Sequence, residues 1–146
     1  MIQELNIFEA VFKDALKTAF IHVDTEYIDD LLDKRDLPEF SDVWMKAYQP
    51  VEGKEITTET EDKINDLRKD IFVFVFRSTG SSDLSAYISD DVGLICAYYI
   101  HNIENKWVTD LLYTYLTHQI PHGELMKTDQ TIKELINSYH FNDEKL

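Results

Sequence analysis

The sequence holds few residues that staple or interrupt a chain. Among 146 residues there are three prolines, four glycines and one cysteine. A lone cysteine, Cys96, excludes an internal disulfide and fits a reducing compartment. With so little proline and glycine, no linker divides the chain, and neither an internal repeat nor a low-complexity tract is present. Long apolar runs are missing too. The longest uncharged apolar stretch, about Val92 to Ile103, falls short of the ~18–20 residues that span a bilayer. Met1-Ile2-Gln3-Glu4 is not a basic segment leading into an apolar one, so no secretory signal is expected.

Positive charge is scarce as well. Fourteen Lys and Arg face 28 Asp and Glu, a formal net charge of -14. That excess repels nucleic acid and anionic membrane at long range and suits a cationic partner. Hydrophobic residues make up 44% of the chain, and at this length folding buries roughly 68–70% of the extended chain's surface without staples. The expectation is one soluble cytoplasmic domain over residues 1–146.

Apolar spacing predicts helices. Asn6 and Glu9 have the spacing of a capping box ahead of Phe8, Phe12, Leu16, Ala19 and Phe20. A short helix capped at Asp24 or Thr25 turns Ile28, Leu31 and Leu32 inward and ends before Pro38. Ser41 starts a further turn or two carrying Val43, Trp44 and Tyr48, stopped by Pro50. Thr58 and Glu61 repeat the capping pattern before Ile64, Leu67, Ile71 and Val75, and Gly80 supplies a stop. Residues 71–76 are a β-branched and aromatic run that also reads as a buried strand. Helix is preferred because no second strand is present to pair with it. Ser82 or Ser89 opens a helix with Leu84, Ile88, Val92, Ile95 and Tyr99 inward. Asn105 opens one with Val108, Leu111, Leu112, Tyr115 and Leu116, and Thr128 opens one with Ile132, Leu135, Ile136 and Tyr139, leaving a frayed tail from Asn142. The predicted architecture is a compact all-α bundle of about six helices, with α+β as the alternative if residues 71–76 form a strand.

Catalytic templates find little. Arg77-Ser78-Thr79-Gly80-Ser81-Ser82 has neither the lysine nor the glycine spacing of a phosphate-binding loop. No Gly-x-Ser-x-Gly elbow and no Asp-x-Asp-x-Asp-Gly calcium loop exists. His118 and His122 are four apart, but Pro121 separates them and Glu124 would complete a metal site only through a loop. His22 and His101 read as core or boundary histidines, and Cys96, between Ile95 and Ala97, as a small buried hydrophobe. Asp29-Asp30 and Asp90-Asp91 are adjacent carboxylates without a basic or histidine companion at a telling offset. No cofactor or metal is expected, and any catalytic site would lie around Asp90, Asp91 and His101. Whether Arg77 pairs internally with Asp83 stays open at this point.

The acid is unevenly distributed. Residues 24–42 carry eight acids against Lys34 and Arg35, whereas residues 52–70 alternate seven acids with four bases, the pattern of a solvated helix face. Glu26, Tyr27, Asp29, Asp30, Asp33, Asp36, Trp44 and Tyr48 therefore form the predicted partner-binding set, in which acids steer a basic partner and aromatics anchor it. Tyr98, Tyr99, Tyr113 and Tyr115, beside Asp83, Asp90 and Asp91, form a second candidate patch.

In size, charge and general character the chain resembles bacterial immunity proteins of polymorphic and contact-dependent toxin systems. The texture is carried by Phe76-Arg77-Ser78-Thr79-Gly80-Ser81-Ser82-Asp83-Leu84, by Ile88-Ser89-Asp90-Asp91-Val92-Gly93-Leu94-Ile95 and by Ile120-Pro121-His122-Gly123-Glu124. The resemblance implies a non-enzymatic antitoxin that binds a cognate toxin tightly, often a nuclease whose basic groove is occluded by acids standing in for phosphates. It assigns no residue. A generic interaction module or nucleic-acid mimic is the second reading, and a small enzyme the third.

Overall fold

The computed structural model describes residues 2–21 and 23–141, and every regular element among them is helical. Seven α-helices run in chain order: α1 Ile2–Ala19, α2 Thr25–Arg35, α3 Pro38–Tyr48, α4 Thr58–Thr79, α5 Ser82–His101, α6 Lys106–Leu116 and α7 Ile132–Ser138. The all-α prediction holds, and residues 71–76 lie inside α4. No helix among the described residues is long and apolar enough to cross a membrane. His22 and the tail from Asn142 lie outside the described residues.

Helices α2, α4, α5, α6 and α7 start where a side chain satisfies a free N–H group. Asp24 accepts from the Tyr27 amide at 2.8 Å, and Asn105 from the Val108 amide at 3.0 Å, both at the predicted caps. Elsewhere the boundary moves. α1 begins at Ile2, which places Asn6 and Glu9 in its interior. Leu5 is buried among the core residues, so apolar packing extends the helix one turn beyond the expected cap. α3 begins at Pro38, whose fixed φ suits a first helical position, and Ser41 instead donates to the Leu37 carbonyl at 3.2 Å. Thr57, one residue before the predicted Thr58, caps α4. Ser81 caps α5, so the helix runs through Ser89 without interruption. α7 starts after Thr131, which with Glu134 forms a reciprocal capping box, three residues later than expected from Thr128.

α4 and α5 form an antiparallel pair joined at Gly80, whose φ of 73° is the left-handed stop that glycine adopts without a Cβ penalty. α1 packs on α4 and α6, and Phe12 meets Tyr115 at 4.6 Å between ring centroids. α5 also meets α2 and α6, and Leu84, Ile88, Val92, Leu94, Ile95 and Tyr98 are all buried. A helix buried on nearly every side sits at the centre of a fold. Its one buried carboxylate, Asp91, is consequently held deep in the protein.

Candidate functional site

The spacing of α5 puts Asp91 on the core face, three residues after Ile88 and four before Ile95. The spacing of α2 does the same for Arg35, four residues after Leu31. Their meeting makes a bidentate pair: Arg35 Nη2 reaches Asp91 Oδ1 at 2.7 Å and Nη1 reaches Oδ2 at 2.8 Å. Asp91 accepts two further bonds, from the Trp44 indole Nε1 at 2.9 Å and the Tyr115 hydroxyl at 2.5 Å. Arg35 also contacts the Pro121 carbonyl at 3.4 Å and lies over the rings of Phe40 and Tyr87, 4.5 and 5.2 Å from their centroids. One carboxylate thus ties together α2, α3, α5 and α6, and no described buried side-chain polar atom lacks a partner.

The electrostatics follow from this saturation. Burial opposes the charge on Arg35, but the Asp91 carboxylate and the Tyr115 hydroxyl outweigh it and raise its pKa above the ordinary value. Burial, reinforced by the charge of Asp91, pushes the Tyr115 phenol well above the usual tyrosine range, so it remains a donor. Burial likewise pushes the Cys96 thiol up to about 12, in keeping with a small core hydrophobe.

The predicted acid–base neighbours separate. Asp91 points into the network, while Asp90 is held at the surface by Arg68, Nη2 to Oδ1 2.8 Å. Burial raises the Asp90 pKa, with Arg68 opposing and Asp91 adding to the rise. His101 is half-buried and shares with Asp90 a cleft of about 360 Å³ between α3, α4 and α5, but Asp91 does not line it. His118, past the end of α6, has a φ of 69°. His122 faces Tyr27 edge-on, 6.0 Å between centroids. Among the described residues no three His, Cys, Asp or Glu side chains converge to hold a metal. Arg77 is exposed; the buried Arg–Asp pair is Arg35–Asp91.

The predicted binding residues divide by depth. Glu26, Asp29, Asp30, Asp33 and Asp36 are exposed, as are Asp24, Glu39 and Asp42. Among the described residues none of these eight forms an ion pair. With Arg35 withdrawn inward, Lys34 is the only exposed base between residues 24 and 42. Tyr27 is exposed. Trp44 and Tyr48 are half-buried and stacked, 5.7 Å apart with 24° between planes, so they serve packing as well as any surface. Of the tyrosines in the second patch, Tyr98 and Tyr115 belong to the core, while Tyr99 and Tyr113 are half-buried.

Sequence reading missed the pairing of Asp91 with Arg35 and the bond between Tyr87 and Asp36. The paired charges were legible at core spacing. Tyr87 gave no signal, because its value lies in a long-range bond from its hydroxyl to Asp36, and that donation, together with partial burial, raises its pKa.

The fold is thus a helical scaffold with a buried Arg35–Asp91 pair and, among the described residues, a dense set of exposed acids without ion pairs on and beside two successive helices. The family described as Immunity protein PIM1 matches residues 6–122, and the chain belongs to that family. It is an immunity protein, as the resemblance in the sequence implied. No curated protein matches the chain.

Proposed function

We propose that this immunity protein neutralises a cognate toxin in the cytoplasm by laying the acidic α2–α3 surface over a basic face of that toxin. It acts by occupation and not by catalysis. The observation that carries the reading is the set of eight exposed acids between residues 24 and 42 that form no ion pair among the described residues. Charge that folding leaves unpaired costs self-repulsion, and a basic partner offsets that cost while gaining a faster encounter. A nuclease is the toxin class that this surface fits best, since a row of carboxylates presents to a substrate groove the charge a phosphate backbone would. Steering by these acids gives fast association over a standard interface of about 800 Å² per partner.

The test is charge reversal. Asp29→Lys, Asp30→Lys and Asp33→Lys combined are expected to slow association with the purified toxin by about tenfold or more and to flatten its salt dependence. Affinity and protection unchanged from the parent would remove this surface from the interface.

A further inference from the structure

Between α3 and α5, on the flank of the acidic surface, lies a hollow of about 220 Å³. Phe40, Trp44, Met45 and Tyr87 line it, together with Ser41 and the charged Arg35, Asp36 and Asp90. The charges here nearly cancel in pairs. Arg35 is neutralised by Asp91, and Asp90 by Arg68. Among the described residues Asp36 has no cation, only the Tyr87 hydroxyl. The hollow therefore combines a largely apolar lining with one carboxylate that no described cation compensates. Met45, 52% exposed, gives the slot a flexible thioether wall of the kind that adapts to an incoming group.

We infer that this hollow is the anchor site for a lysine or arginine side chain of the basic partner, its aliphatic stem against Trp44, Met45 and Tyr87 and its charged head on Asp36. Long cationic side chains combine an apolar stem with a charged tip, and the lining presents both chemistries. Aromatic walls add attraction for the cation itself. The inference deepens the proposed function, since it rests on a basic protein binding at this surface.

The protein has three methionines, so methyl-labelled methionine gives a spectrum in which Met45 is followed directly. Titration with N-acetyl-lysine amide is expected to move the Met45 methyl and the Trp44 indole N–H saturably, leaving Met126 in place. N-acetyl-norleucine amide, with the stem but no charge, is expected to bind about tenfold more weakly, and Asp36→Asn should reduce the lysine compound to the same level. Equal response to both compounds, a linear drift shared by Met126, or full binding by Asp36→Asn would overturn the anchor site. The outcomes separate from those of the acidic surface, because Asp29, Asp30 and Asp33 do not line the hollow. Lost protection in the triple reversal without saturable binding here keeps the surface and discards the hollow. Saturable binding here with protection intact in the triple reversal does the reverse.

Discussion

Asp91 is the residue on which the interior turns. Four hydrogen bonds converge on a carboxylate with no solvent exposure, so its removal strands a guanidinium, an indole N–H and a phenol together. Breaking a buried pair from one side costs about 3–5 kcal/mol. Asp91→Ala is therefore expected to lower the urea midpoint sharply, and adding Arg35→Met should restore part of the loss, because the second change removes the orphaned charge. Equal midpoints for Asp91→Ala and the parent would show that the pair contributes nothing. Asp91 and Arg35 were both readable from spacing, yet a charge at a core position has no visible partner until the chain is folded, and the same acid next to Asp90 looked like one of many. The other buried titratable groups give a pH prediction with a definite sign. Cys96 ionises near 9 when unfolded and near 12 when folded, and Tyr115 is shifted in the same upward direction. Above pH 9 the unfolded chain releases protons that the native chain retains. The contribution of Cys96 is thus fully present below that pH and declines by about 1.4 kcal/mol per pH unit as the pH rises towards 12, and Tyr115 adds a loss in the same direction above its ordinary value of 10.0. Urea midpoints across this range check the slope, and Cys96→Ala should flatten its first part. A midpoint constant from about pH 8 to 11 would contradict the burial of both groups.

At the scale of the helix, α2 works against its own stability. Glu26 and Asp30 stand four residues apart, as do Asp29 and Asp33, and like charges at that spacing oppose the helix. Asp33 also occupies the last turn, where the helix dipole favours cations. Asp33→Lys replaces the repulsion from Asp29 with attraction and complements the dipole. It is expected to raise stability by roughly 0.5–1 kcal/mol while weakening toxin binding. Denaturation and binding measured on the one variant check both halves, and a variant that is less stable, or that binds as well as the parent, would contradict this account of α2. Most of the element plan was legible because Asp24, Asn105 and Gly80 are strong boundary signals. The misplaced starts share a physical cause. Thr57 and Thr58 are equally able to cap, so which one does so is decided by the packing of Leu67 and Ile71 further along α4, and Thr131 prevails over Thr128 because its box with Glu134 places Ile132, Leu135 and Ile136 in the core.

Across the whole molecule the proposed function gives the surplus of acid opposite consequences for folding and for binding, and salt distinguishes them. A net charge of -14 repels itself in the compact state, and added salt screens that repulsion over a Debye length of about 10 Å at 0.1 M. The internal pair is untouched by such screening, because Arg35 and Asp91 are buried. Thermal stability is therefore expected to rise as salt is increased from low ionic strength. Steered association depends on the same field, so its rate should fall over the same range, from the roughly 10⁸–10⁹ M⁻¹s⁻¹ reachable with steering towards a neutral ~10⁵–10⁶ M⁻¹s⁻¹. Dissociation is set by short-range contacts and should change little. Stopped-flow association with the toxin and thermal melts in the same buffers give both curves. A salt effect confined to the dissociation rate would mean that short-range contacts carry the binding. In that case the acids of α2 and α3 would act on the stability of the free protein alone, and the interface would have to be sought on another face of the bundle.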